Sequence, residues 1–561
     1  MKLNRLNIIT VPAFMNKPGA VFSIYWTMVF IVYLPAAKAG LVGDFPYYIE
    51  SYRENDFWNF INPKNATALY QTCELHLYIL IKLLGTNPFL WHLVFVTLHA
   101  VNGFLIFLFF GRLLSDSQIK NALPLSFIAV CFFLISPHAS EVVVWKACSH
   151  YLFAIAVIFL ILVFVQKFHK TQKAQYAFIT AFLFFYSSFS HEFFYLIPWF
   201  ILILIYYYHL VLGSDKIVFK KSLLYFFVPT LLLFCVHLLL LRIFKHTYVS
   251  HFGKLEQLPL TYYLDKPLKY FFHVLFFGRY FSLEARNKIY ALCETKNTLL
   301  SFYSVFLCFW FYVLFRIRKV SMKLKALALS SIYLMVIFLF LSPVFFADTM
   351  LVCYDRYLYP SIGFASLFFV LLVSFIPVYN IRIVLFVSYA LINIWLTGKV
   401  NVYWKQSAYV VKRLLNDVPD AGNKTVLLLN LPDDLQGIPM ISAQEEGRFK
   451  IMKNLLTTSQ LNNTAYDVVA YKMTTINDGA HVKVINDSEV NVTLNQWGTW
   501  WLYGMLGANN YENNDYKVNM VDEGHWYELT LKHPPEQYML LYQAGSQWKE
   551  VDWGKKNTDQ Y

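Results

Sequence analysis

The chain has 561 residues, 58% hydrophobic and 19% aromatic but only 14% charged, with a mean hydropathy of +0.45. A soluble domain carries about a quarter charged and about half apolar residues, so these values exclude a protein that is water-soluble throughout. The formal charge of +13 splits into +17 over the first 397 residues and −4 over 398–561. Basic residues placed between apolar runs orient helices and meet anionic lipid, which argues against nucleic acid as the partner.

Apolar runs predict membrane helices at about 20–41, 89–111, 123–137, 150–166, 174–190, 193–212, 222–243, 298–315, 326–343, 358–376 and 383–397. Runs of this length cross about 30 Å of hydrocarbon, and only helices satisfy their backbone there. The third and the last are short for the task. Lys2, Arg5 and Lys17 precede a first run that reads as a retained signal anchor. With the N-terminus in the cytoplasm, alternate loops carry Arg112 and Lys120, then Lys167, Lys170 and Lys173, then Lys216, Lys220 and Lys221. Arg316, Arg318, Lys319, Lys323 and Lys325 follow, and last Arg382, as the positive-inside rule requires. Eleven crossings place the C-terminal region outside.

The fold class expected is therefore a membrane, all-α polytopic bundle of about 11 helices over residues 1–397. A soluble α+β, mostly β domain over 398–561 follows it. In the latter, Val426–Pro432 reads as one buried strand ended by proline, 482–485 and 490–494 as strands joined through Asn486-Asp487-Ser488, and 527–531 as another. This region lacks Cys and any Gly-rich phosphate loop, and its expected role is covering a site or contacting an acceptor rather than catalysis. The seven cysteines form no CxxC pair, and no metal-ligand spacing occurs. Cys73, Cys293 and Cys353 fall in outside loops. Five sequons, at Asn65, Asn423, Asn462, Asn486 and Asn491, also fall outside.

The candidate chemistry lies on the outside loops. Asp44, just after the first span in Leu41-Val42-Gly43-Asp44-Phe45-Pro46, is placed to take a proton from an acceptor hydroxyl; the plainer reading is a helix-start carboxylate after Gly43. Glu50 and Asp56 read as solvated acids. Glu141 sits where the chain re-enters an apolar stretch, with Lys146 or His150 as its expected partner. His191-Glu192 breaks two apolar runs, as a pair that binds a phosphate-linked sugar or a metal, or as a tight polar turn. Asp355-Arg356 precedes the tenth span, and an Arg facing outside suits two-point recognition of phosphate or a pair with Asp355. Arg279 is a second phosphate candidate. The 244–297 loop holds eight basic and four acidic residues, and its Lys269–Phe277 stretch reads as a helix lying in the interface.

Taken together these positions resemble the GT-C glycosyltransferases, polytopic enzymes that use polyprenyl-phosphate-linked sugars. The likeness is to the membrane part of the transmembrane, tetratricopeptide-bearing O-mannosyltransferases. It rests on Asp44; on Trp91-His92-Leu93-Val94 with Leu98-His99-Ala100-Val101-Asn102; on Pro137 with Glu141, Val142 and Trp145; and on Asp355-Arg356-Tyr357-Leu358-Tyr359-Pro360. Ser190-His191-Glu192 is similar to the family's Lys-Glu step. The resemblance covers roughly residues 20–376. The first loop has Phe45 where a second acid is common, Lys146 and His150 stand where an Arg usually follows the tryptophan, and the repeats are missing.

The resemblance implies an inverting transfer of a sugar, such as mannose, from a polyprenyl-phosphate donor to a glycan, lipid or protein acceptor. Asp44 would be the base, and Arg356, Lys146 and Arg279 would stand near the phosphate. No cofactor is required by any motif, although a divalent metal is compatible with the chemistry. A polymerase or ligase of lipid-linked polysaccharide and a non-catalytic flippase are the rival expectations; repeated halves, the mark of many transporters, are not found. The missing repeats and compact outer domain lean the setting toward a bacterial inner membrane.

Overall fold

A computed structural model of the chain describes residues 12–55, 57–62, 69–246, 260–344, 355–441, 447–494, 510–521 and 526–554. Lys2, Arg5, Asp56, Asn65 and Cys353, singled out above, lie outside the described residues. Among the described residues nine helices are long and apolar enough to cross a membrane: 18–36, 88–116, 146–171, 192–210, 216–245, 296–315, 322–341, 355–373 and 379–416. A tenth arises if Ala122–Leu134 and Pro137–Val144, bent by 55°, form one broken span.

Two of the eleven expected crossings thus differ in form. The third bends at Ser136-Pro137, because proline lacks the N–H that would continue the helix. The fifth, Gln175–Ser188, is a 14-residue helix, shorter than a standard span. It nonetheless returns to the level where its predecessor begins, since the His191 ring stacks on His150 with centroids 5.0 Å apart.

Local chemistry explains the strongest elements. Pro88 opens the second span, and the Asn87 side chain accepts from the N–H groups of Phe89 and Leu90, satisfying two orphan donors. The last membrane helix, Tyr379–Asn416, runs 38 residues without a break at the 397/398 boundary. Its buried polar residues Asn393, Thr397 and Asn401 recur every four positions and so share one face. Thr397 donates to the Ile135 carbonyl at 2.7 Å, Asn401 to Val32 at 2.8 Å, and Trp404 to the Ser140 hydroxyl at 3.1 Å. Interhelical hydrogen bonds of this kind contribute about 0.6 kcal/mol each, and they seat the helix against the end of the first span and the bend.

Among the described residues the strand-rich C-terminal domain holds three sheets. Strands β1 (Thr425–Leu428), β4 (Ala465–Asp467), β11 (Tyr538–Ala544) and β12 (Gln547–Glu550) form a mixed sheet ordered β12-β11-β1-β4. Strands β6 (Ala480–Asn486), β7 (Glu489–Leu494), β8 (Tyr511–Glu512), β9 (Tyr516–Val521) and β10 (Trp526–Leu531) form an antiparallel one, ordered β6-β7-β10-β9-β8. Strands β2 (Leu431–Leu435), β3 (Ile438–Pro439) and β5 (Ala470–Met473) complete a small third sheet, ordered β3-β2-β5.

The single strand expected over Val426–Pro432 is two, in different sheets. Asn430 causes the switch: its amide donates to the Gln543 carbonyl and accepts from the Gln543 N–H, leaving the first sheet. Pro432 then enters β2 beside a bulge, where its missing donor costs no ladder bond. The domain docks on the long helix through its terminal carbonyls: Trp548 donates to Leu414 and Lys453 to Leu415, both at 2.8 Å.

One consequence concerns pH. In the first-loop helix Gln71–Leu84, burial raises the Glu74 carboxyl to about 7, and Tyr52 donates to it. Its unfolded value is about 4.3, so between those limits the folded chain binds the extra proton. Stability accordingly falls as pH rises from about 4.3 to about 7 and is flat in this term above that. A Glu74→Gln variant in detergent is expected to lose this part of the pH dependence of its melting temperature. An unchanged slope would locate the titration elsewhere.

Candidate active site

The first loop is pinned before it reaches its acid. Gly40, at φ +97°, packs so closely that a Cβ there would lie 2.0 Å from the Val144 carbonyl oxygen. The Lys146 N–H donates to Gly40 and the Trp145 indole to the Val42 carbonyl at 3.0 Å. From the other side, Gly43 (φ +61°) donates to the carbonyl of Met440 in the soluble domain at 2.8 Å, and a Cβ would crowd Pro439 at 3.1 Å. Asp44 follows at the start of the Phe45–Glu54 helix, yet its side chain makes no capping bond. The plainer reading of a helix-start carboxylate therefore does not describe its contacts. Its Oδ1 pairs instead with Arg448 of the soluble domain, while Oδ2 takes no hydrogen bond among the described residues. The side chain is 33% exposed, whereas that of Arg448 is 4% exposed.

Inward from Asp44 lies a buried charge cluster. Glu141 is fully buried and binds Arg356 at both oxygens: the guanidinium reaches Oε1, and the Arg356 backbone N–H donates to Oε2 at 2.7 Å. The partner of Glu141 is thus Arg356 rather than Lys146 or His150. The guanidinium also faces the rings of Trp145 and Tyr357, at 5.2 and 4.9 Å. Lys146 is fully buried, 4.7 Å above the Phe95 ring, and its ammonium has no hydrogen-bond partner among the described residues. Beside it is His92, also fully buried, with neither ring nitrogen bonded among the described residues. Asp44, Glu141, Lys146 and Arg356 all act electrostatically on Cys148, which marks the centre of the group.

Two further groups adjoin this centre. Tyr151 connects Arg356 and Tyr357 to the His150–His191 stack. There Tyr70 donates to Glu192 at 2.6 Å, and His191 Nδ1 is 3.7 Å from the other Glu192 oxygen. On the opposite flank Asp355, fully buried, meets Arg279 Nε at 3.1 Å and His138 Nδ1 at 3.2 Å. The 355–361 segment is fixed by the Tyr359 hydroxyl, bonded to His99 at 2.7 Å and to Asn102 at 3.1 Å. Arg279 and Arg356, both expected near a phosphate, are therefore each matched by a carboxylate. Among the described residues no three His, Cys, Asp or Glu side chains gather as a metal-ligand set.

Residues not picked out as candidates in the sequence complete the site. Arg448 opens a nine-residue helix of the soluble domain, Arg448–Leu456. Asp433, half-buried on β2, lies within electrostatic reach of both Asp44 and Arg448. Burial and its neighbour Asp434 hold the Asp433 carboxyl well above the usual carboxylate range. Neither residue sits in a motif, so no spacing in the sequence marks them.

The Glu141–Arg356 pair carries a prediction of its own. Removing one member of a buried pair leaves an uncompensated charge and costs about 3–5 kcal/mol. Arg356→Met is expected to destabilise the protein by that amount in thermal unfolding, with Glu141→Gln/Arg356→Met recovering much of it. A melting temperature unmoved by Arg356→Met would mean that the pair is solvated.

No protein-family model matches the chain, and no curated protein matches it.

Proposed function

We propose that this chain is an integral membrane glycosyltransferase that moves a hexose, such as mannose, from a polyprenyl-phosphate donor to an acceptor hydroxyl outside the cytoplasm. The observation that carries the reading is the pairing of opposites at one end of the bundle. Among the described residues Asp44 presents one unbonded carboxylate oxygen, and Lys146, which shares Cys148 as a neighbour with it, holds a fully buried ammonium with no hydrogen-bond partner. Buried charge in a membrane protein is costly and is retained where a ligand or reaction uses it. An anion seated at Lys146 and His92 relieves that cost, and the phosphate of a lipid donor is an anion delivered at this depth.

In the proposed step the acceptor oxygen attacks the anomeric carbon while Asp44 takes its proton. The bond from that carbon to the phosphate oxygen breaks, and the electron pair leaves with the polyprenyl phosphate, held by Lys146. One displacement inverts the anomeric centre. Glu141 is unsuited to the base role because Arg356 occupies both its oxygens. The buried Glu141–Arg356 and Asp355–Arg279 pairs then act as the frame that fixes the site.

The membrane arrangement belongs to the same proposal. The nine apolar helices among the described residues, the bent 122–144 pair and the short 175–188 helix give eleven crossings. With a cytoplasmic N-terminus the soluble domain is then periplasmic, in a bacterial inner membrane. Incubating purified protein with a panel of polyprenyl-phosphate hexoses and glycan, lipid and peptide acceptors tests the reading. Hexose transfer with inverted anomeric configuration supports it. Transport of the lipid-linked sugar across vesicles without product would replace it with a flippase.

A further inference from the structure

Outward of Asp44, between the first loop and the soluble domain, is a group of side chains that proton abstraction alone leaves unused. Arg448 gives one guanidinium nitrogen to Asp44, but its Nε is buried and bonded to nothing among the described residues. Its guanidinium lies 5.8 Å from the centre of the Tyr47 ring, and Tyr47 is 38% exposed. The Asp433 carboxyl accepts no hydrogen bond among the described residues, and Asp44 Oδ2 accepts none either. Tyr48 and Cys148 are the other titratable groups that Asp44 influences, and Asp434 and Lys472 stand behind Asp433. The walls are held by the Gly43–Met440 bond and by Ser407 donating to the Pro439 carbonyl at 3.3 Å.

We infer that this recess is an acceptor subsite for a carbohydrate, which binds by its ring between Tyr47 and Arg448 and by neighbouring hydroxyls to Asp433 and Asp44. The inference rests on the transferase reading for the identity of the acceptor, but not for the binding itself. A lone serine or threonine hydroxyl fills one of these positions and leaves the half-buried Asp433 carboxyl and the buried Arg448 Nε without partners among the described residues, which is costly for the buried group. An anionic acceptor meets two carboxylates, and a lipid acceptor finds polar walls where its chain needs apolar ones. A sugar carries adjacent hydroxyls that both donate and accept, and its C–H face packs on an aromatic ring. It alone matches the whole set.

The test uses full-length protein in nanodiscs and saturation-transfer NMR with the methyl glycosides of mannose, glucose, galactose and N-acetylglucosamine. At least one glycoside is expected to bind. Affinity is expected to fall about tenfold or more in Arg448→Gln and in Asp433→Ala, the loss of a hydrogen bond to a charged group. Tyr47→Ala, which leaves the Asp44–Arg448 pair intact, guards against variants that fail to fold and is expected to weaken binding likewise. Absence of binding by all four glycosides, or binding that none of the recess variants alters, overturns the subsite. Hexose transfer to a Ser/Thr peptide with an unchanged KM in Arg448→Gln overturns it in favour of a protein acceptor. Glycoside binding that follows these variants, in a protein that transfers no hexose from any donor, leaves the subsite standing and removes the transferase reading instead.

Discussion

Asp44→Asn is expected to lower hexose transfer by about a thousandfold, with the folded protein intact. General-base catalysis contributes about 10²- to 10⁴-fold, and asparagine keeps the shape of the side chain while removing its capacity to take a proton. The stability side of the argument matters as much. The carboxylate is one-third exposed and caps no helix, so the substitution leaves no backbone donor unsatisfied. Arg448 loses a counter-charge but keeps Asp433 within reach. Melting temperature should accordingly move by a few degrees at most, about 1 kcal/mol. The measurement is initial-rate transfer by native and variant protein at equal monodisperse concentration. Transfer retained within tenfold would remove Asp44 from the role. Attention would then pass to Glu192, since Glu141 has both oxygens occupied.

How much of this was legible beforehand depends on the physical signal each feature leaves. Long apolar runs are written directly in composition, and nine of the expected spans appear as helices of membrane length. The 175–188 helix and the bend at Pro137 lie where hydropathy alone is ambiguous: a run's length in sequence does not reveal where its helical geometry stops. The hairpin through Asn486-Asp487-Ser488 was readable from alternation and turn residues. The sheet switch at Asn430 was not, because it depends on a bond to Gln543, more than a hundred residues away. In the site, charged residues against apolar sequence stood out, which is how Asp44, Glu141, Lys146 and Arg356 drew notice. Their pairings did not. Arg356 answers Glu141 across 215 positions and Arg448 answers Asp44 across 404, and pairing at that range is a property of the fold rather than of any local pattern.

That distinction between matched and unmatched charge underlies the second large effect. Lys146→Met is expected to reduce kcat/KM by about 10²- to 10³-fold, the cost of losing one preorganised charge at a developing anion. The same variant should be at least as stable as the native protein. Lys146 makes no hydrogen bond through its ammonium among the described residues, so methionine forfeits none, and its unbranched chain fills the space over Phe95. Removing a buried charge without a partner also removes its desolvation penalty. Arg356→Met, by contrast, strands Glu141 and should lose stability whether or not a donor is present. The two substitutions therefore separate a cation kept for a ligand from one kept for the frame. Thermal melts beside transfer kinetics read both at once. A Lys146→Met protein that melts well below the native one would assign Lys146 to the frame, and one that transfers hexose at the native rate would move the phosphate away from it.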